Sequence, residues 1–79
     1  MIYPNPIKGE ATLTVYLAQK QPAVYSVFDL AGNRHFSKTV SLQAGWNTIP
    51  LTLSSLLPGN YILQLAGNGI TQQTRLVKL

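Results

Sequence analysis

Apolar and polar residues alternate along most of this 79-residue chain, and the alternation has a period of two. It is clearest from Ala11 to Leu17, where Leu13, Val15 and Leu17 are predicted to face a core. Successive side chains of a strand point to opposite faces of its sheet, so this pattern is typical of a half-buried strand. No segment repeats its apolar residues at the 3.6-residue spacing of a helix over enough length to predict one.

Turn-forming residues divide the chain into about six or seven short strands. Turns are predicted at Gln19–Pro22 and around Gly32, Gly45 and Gly67–Gly69, where glycine permits the positive φ of a tight turn. The strand Ala23–Leu30 alternates less cleanly, which predicts a β-bulge near Phe28 and Asp29. The sequence therefore predicts an all-β fold, a small antiparallel β-sandwich of immunoglobulin-like architecture.

Two strands are predicted to lie at sheet edges. His35–Val40 is polar, and Pro50 within Trp46–Leu53 cannot donate a hydrogen bond to a neighbouring strand, so that strand is expected at an edge or broken at Pro50. The loop Ser54–Gly59 is predicted to be tethered by its two leucines. Elsewhere the alternation predicts inward side chains at Ile49, Leu51, Leu53, Tyr61, Leu63 and Leu65.

The N-terminal residues carry the only linker-like composition. Pro4 and Pro6 favour an extended backbone, so residues 1–9 are predicted to be a linker leading into a β-sandwich domain at residues 10–79. No secretory signal peptide is predicted at the start of the sequence, so if the domain is exported, its targeting peptide is expected on a longer precursor.

Composition narrows the function. Charged residues are only 10% of the chain and the net charge of +4 comes from scattered cations, which does not favour nucleic-acid binding. A weak attraction to anionic surfaces fits better. There is no cysteine, and no apolar run approaches the roughly 20 residues of a membrane helix.

Groups for catalysis or metal binding are scarce. His35 is the single histidine, and with Glu10 and Asp29 it offers at most one acid-base pair. A zinc site needs three or four ligands, so no metal and no cofactor are expected, and the chain is predicted not to be an enzyme. Asp29 is interpreted either as a recognition contact or, with more weight, as an acceptor of backbone N–H groups in the turn that follows it.

Exposed aromatic residues suggest a second interpretation. Tyr16 and Trp46 are predicted to be exposed and aromatic rings stack on sugars, but the two residues are far apart in sequence. Most aromatic side chains of so small a sandwich are expected to serve packing.

The order of the turn signals resembles a known family over essentially the whole chain. Tyr3-Pro4-Asn5-Pro6 with Gly9 is followed by Val27-Phe28-Asp29-Leu30 with Gly32, then by Leu42, Gly45 and Asn47, then by Leu53, Leu56, Gly59 and Tyr61. The chain ends on Arg75-Leu76-Val77-Lys78-Leu79. This is similar to the type A C-terminal sorting domain of the type IX (Por) secretion system of Bacteroidetes. In that family an arginine commonly follows the turn glycine, whereas here Asn33 separates Gly32 from Arg34.

The resemblance implies a sorting signal at the end of an exported precursor with an N-terminal cargo domain. The precursor would cross the periplasm and be recognised by outer-membrane components of the type IX system. A sortase-like cysteine peptidase would then remove the domain and leave the cargo at the cell surface or in the medium.

The last strand is the candidate recognition element under this resemblance. An exposed final strand can pair with a receptor by β-augmentation, and Arg75, Leu76, Val77, Lys78 and Leu79 are its candidate contacts. Either Leu76 or Val77 must pack inside. The remaining motif residues are expected to be structural: Pro4, Asn5, Pro6, Gly9, Asp29, Gly32, Gly45, Gly59 and Tyr61. The alternatives are an accessory carbohydrate-binding module and a structural spacer of a larger extracellular protein.

Overall fold

The computed structural model describes residues 2–4 and 6–79, and these residues form an all-β sandwich without a helix. The seven strands are β1 (Ile2–Tyr3), β2 (Glu10–Leu17), β3 (Gln21–Asp29), β4 (Arg34–Leu42), β5 (Gly45–Thr52), β6 (Gly59–Gly67) and β7 (Ile70–Lys78). They pair as two antiparallel sheets, in the orders β1-β2-β5 and β4-β3-β6-β7. The predicted all-β sandwich is confirmed.

One hydrophobic core lies between the two sheets. Strand β2 contributes Leu13, Val15 and Leu17, and β6 contributes Tyr61, Leu63 and Leu65, all of them buried as the alternation predicted. Ile49 and Leu51 of β5 lie opposite Leu13 and Ala11 on the same face, and Leu53 just after β5 is buried as well. Period-two alternation located these residues because each sheet has one face on the core and one face in water.

The predicted edges and the predicted bulge are confirmed. β4 and β5 each lie at an edge, and Pro50 sits in β5 opposite Thr12. The pairing of β3 with β4 shifts register between Val27 and Phe28, while β3 keeps an unbroken register with β6. The bulge therefore interrupts only the pairing of β3 with β4 and leaves the pairing of β3 with β6 regular.

Strand β3 starts earlier than predicted. Gln21 and Pro22 pair with Leu42 and Ser41, so the expected turn at Gln19–Pro22 is wrong in its second half. Pro22 fits because β6 pairs with β3 only from Ala23 onward, so at Pro22 the strand has β4 as its neighbour on one side only. The long β3–β4 pairing outweighs the local preference of proline for a turn.

The N-terminal residues contact both sheets. Ile2 pairs with Leu13, and Ile7 forms a parallel bridge to Lys78. The Ile7 N–H donates to the Val77 carbonyl at 2.7 Å, and the Leu79 N–H donates to the Ile7 carbonyl at 2.7 Å. Both isoleucines belong to the core. The segment before β2 is thus hydrogen-bonded to the end of the last strand.

Candidate functional site

The candidate recognition segment Arg75–Leu79 lies at an edge of the four-stranded sheet. Its neighbour is β6, and Ile7 forms a parallel bridge to its other side at Lys78. Leu76 is the residue of the Leu76–Val77 pair that packs inside, opposite Tyr61. Arg75 and Leu79 are exposed and Val77 is half-buried. The side chains of Arg75, Val77 and Leu79 therefore form a row on the face of the sheet that points away from the core.

The side chain of Lys78 is buried, whereas that of Arg75 is exposed. It shares the inner parity of Leu76 and is only 7% exposed. Its Nζ donates to the backbone oxygen of Leu79 at 3.0 Å. The long aliphatic stem can occupy apolar surroundings while the ammonium keeps a hydrogen-bond acceptor. The positive charge on the outward row of this segment is therefore that of Arg75.

A hydrogen-bonded turn precedes β4, and Asp29 is its centre. The Asp29 Oδ1 accepts the backbone N–H groups of Ala31 at 3.0 Å and Asn33 at 2.9 Å. Its Oδ2 lies 3.1 Å from Nε2 of His35. The bond from the Asn33 N–H, helped by His35 and Ala31, lowers the pKa of Asp29 to about 2. These bonds agree with the structural interpretation of Asp29, since they fix the turn that contains Gly32.

Several motif residues outside the last strand lie in turns or make contacts within the domain. Gly32 and Gly45 have φ of 90° and 93°, which side chains rarely adopt. The Gly9 carbonyl accepts the N–H of Leu53 at 2.7 Å. Tyr61 is buried and its hydroxyl donates to the Leu57 carbonyl at 2.6 Å. Pro4 and Pro6 are exposed, Gly59 begins β6, and Asn5 lies outside the described residues.

The structure brings together two aromatic residues that the sequence left apart. Tyr16 and Trp46 pair across β2 and β5, with ring centroids 5.5 Å apart in an edge-to-face arrangement. Trp46 is 75% exposed, so the pair lies on the outer surface of the three-stranded sheet. The contact could not be found without the register of the two strands.

The described residues bear on the expectations for metal ligands and for the single histidine. They contain no group of three or more His, Cys, Asp or Glu side chains that could hold a metal ion. His35 is occupied by Asp29 and by an edge-to-face contact with Tyr61 at 5.4 Å. No helix long and apolar enough to cross a membrane occurs in residues 2–4 and 6–79.

Comparison with known proteins identifies the family to which this domain belongs. The model of the family described as secretion system C-terminal sorting domain matches residues 1–79, the whole chain. The chain belongs to this family, the sorting domains of the type IX secretion system. No curated protein and no solved structure matches it. Membership supports export to the cell surface or medium and gives no support to the alternatives of a carbohydrate-binding module or a spacer.

Proposed function

We propose that this domain directs its precursor through the type IX outer-membrane translocon by contacts to the segment Arg75–Leu79. A sortase-like cysteine peptidase then removes the domain from the cargo. Family membership supports the sorting role, and the observation that carries the contact is the position of β7 at a sheet edge. The proposal treats the domain as a ligand of the secretion machinery and not as a catalyst.

The edge position supplies two kinds of contact. Backbone groups along the outer side of β7 can extend a partner's strand, as edge strands do in β-augmentation. Ile7 already occupies this side at Val77 and Leu79, so a pairing strand would align with the part of β7 nearer Thr71 and Gln73. Side chains supply the second kind of contact through the exposed Arg75 and Leu79.

The test is an export assay that preserves the fold. Deleting Arg75–Leu79 would also remove Leu76, which is completely buried, so loss of export would not separate recognition from unfolding. We would instead combine Arg75→Gln with Leu79→Ser in a signal peptide–reporter–domain fusion, in a bacterium with the type IX machinery. The control is Lys38→Gln with Leu57→Ser, which removes a matched exposed cation and leucine elsewhere.

The expected result is that the wild-type and control fusions reach the surface or medium while the recognition variant stays in the periplasm. Thermal unfolding of the purified domains should show the same midpoint for both variants. Retention of the wild-type fusion in the periplasm, with the domain folded, would refute the sorting proposal for this chain. Export of the recognition variant would refute only the role of Arg75 and Leu79. Loss of the peptidase should leave the domain attached to the exported reporter.

A further inference from the structure

Tyr16 and Trp46 are large aromatic residues that the proposed recognition segment does not use. Both are largely exposed, Tyr16 at 60% and Trp46 at 75%. Their rings contact each other edge to face across β2 and β5. Tyrosine and tryptophan combine a large apolar body with one polar group, and they are enriched where proteins bind other molecules. The pair is therefore a candidate contact surface.

A cleft adjoins this pair on the side of Tyr16. It has a volume of about 410 Å³, which lies within the roughly 300–1,000 Å³ of sites that bind small molecules. One wall is formed by residues 16–19 and 21, and the other by residues 68–72 at the turn between β6 and β7. Tyr16 lines the cleft and also contacts Trp46, so the two rings and the cleft form one continuous surface, the aromatic cleft.

Close packing fixes the two walls of the aromatic cleft. Gly67 lies opposite Ile70, and the two-residue turn between them contains Gly69 at a φ of 73°. A Cβ added at Gly67 would lie 3.0 Å from Oε1 of Gln21 and 3.0 Å from the backbone oxygen of Pro22. The hairpin and the start of β3 therefore approach more closely than a side chain at position 67 would allow. A cleft with fixed walls loses little conformational entropy when it binds a ligand.

The side chains that line the cleft indicate the chemistry of its ligand. None of the ten lining residues is charged, and the exposed cation Lys20 is not among them. The polar ones besides Tyr16 are four amides and a hydroxyl: Gln19, Gln21, Asn68, Gln72 and Thr71. An amide both donates and accepts hydrogen bonds, as the hydroxyl groups of a ligand do.

Other kinds of ligand fit this lining less well. An ionised ligand would find no opposite charge in the lining, and an apolar ligand would leave buried amides without partners. A sugar ring uses both parts of the surface. The C–H groups on its faces suit the negative face of an aromatic ring, and the hydroxyls on its rim suit the amides.

We propose that the aromatic cleft binds a neutral saccharide. One pyranose ring lies against Tyr16, its hydroxyls bond to Gln19, Asn68 and Gln72, and a second sugar unit extends over Trp46. This binding activity goes beyond the sorting function and does not replace it. Arg75 and Leu79, the side-chain contacts proposed for the translocon, do not line the cleft.

The test is a titration of the purified, isotope-labelled domain, followed by nuclear magnetic resonance. The probes are the neutral methyl glycosides of glucose, galactose and mannose, with maltose and cellobiose. We expect the side-chain amide signals of Gln19, Asn68 and Gln72 to shift together, with a Kd of about 1 mM because the cleft is open. The emission of Trp46 should move to shorter wavelength with a disaccharide, since the second sugar unit covers an exposed indole.

Variants locate the site. Tyr16→Ala should weaken binding about tenfold, whereas Tyr16→Phe keeps the ring and should keep most of the affinity. The matched control is Tyr3→Ala, which removes an exposed tyrosine of β1 that does not line the cleft and should leave the Kd unchanged. Trp46→Ala should abolish the advantage of a disaccharide over its monosaccharide. Equal thermal midpoints exclude a folding defect.

Several outcomes would overturn the saccharide site. No shift with any of these probes at about 50 mM would refute it, because that concentration reveals even a millimolar Kd. Equal effects of Tyr16→Ala and Tyr3→Ala would refute its location. Tighter binding of methyl glucuronide than of methyl glucoside, at about 0.15 M salt where distant charges are screened, would refute a neutral ligand.

The failures of the two proposals are distinguishable, because the titration needs no secretion machinery. If the wild-type fusion is exported and no glycoside binds, the saccharide site fails and the sorting proposal stands. If the domain binds a glycoside but its fusion stays in the periplasm, the reverse holds. Loss of export in a Tyr16→Ala fusion, without any glycoside binding, would assign the aromatic pair to a protein contact and refute the saccharide site.

Discussion

Replacing Ile7 by alanine tests whether the N-terminal segment is a linker or part of the fold. Ile7 is 0% exposed and belongs to the core, although it stands between exposed Pro6 and exposed Lys8. Its backbone bonds to Val77 and Leu79 hold it against the end of β7. A linker residue would be exposed and its truncation would have no effect on stability.

The expected loss of stability follows from the complete burial of the Ile7 side chain. Truncating a completely buried isoleucine removes its transfer free energy and leaves a cavity, for a cost of about 2–4 kcal/mol. A domain of 79 residues is expected to have a free energy of unfolding of roughly 4–12 kcal/mol. The substitution would therefore remove a large share of the stability, and the thermal midpoint should fall by roughly 10–25 °C.

The assay is urea unfolding of the purified domain followed by far-UV circular dichroism. Wild type, Ile7→Ala, Ile7→Val and Lys8→Ala should be compared. Ile7→Val should lose about 1 kcal/mol and Lys8→Ala close to nothing, because Lys8 is exposed. A loss below about 0.5 kcal/mol for Ile7→Ala would contradict the burial argument and favour the linker predicted for residues 1–9.

Three further predictions concern turns, pH and the aromatic pair. Gly32→Ala should destabilise by about 1–2 kcal/mol from backbone strain alone, since φ is 90° and no atom lies within 4 Å of the added Cβ; an unchanged urea midpoint would contradict this. The pKa of Asp29 is lowered from 3.8 to about 2 in the folded domain. Its contribution to the free energy of unfolding is therefore present above about pH 4 and is lost as the pH falls from about 4 to about 2. Asp29→Asn should flatten this part of the stability–pH curve. Trp46→Ala should cost only about 0.5–1 kcal/mol in chemical unfolding followed by circular dichroism, because Trp46 contacts Tyr16 but remains exposed.

Local pattern was sufficient for most strands. Leu13, Val15 and Leu17 were identified as core residues because alternation reports a sheet with one wet face, whatever the order of its strands. Pro50 marked an edge because a missing N–H has the same consequence in any sheet. These inferences require only neighbours in the sequence.

The N-terminal segment shows where local pattern is insufficient. Pro4 and Pro6 favour an extended chain, which is equally consistent with a linker and with a segment laid against an edge strand. The burial of Ile7 depends on its bridge to Lys78, a contact between opposite ends of the sequence. No periodicity within residues 1–9 could report it.

The candidate site also depends on contacts that a local sequence pattern does not predict. Alternation required either Leu76 or Val77 to face the core, but only the register with Tyr61 selects Leu76. With Leu76 facing the core, the alternation of β7 also places Lys78 on the inner face and Arg75 on the outer face, beside Ile62. Phe28 joins them only because β3 and β6 are neighbours, although β4 and β5 separate them in sequence. Two of the segments that carry the family resemblance, one in β3 and one in β7, thus lie on either side of β6 through strand order alone.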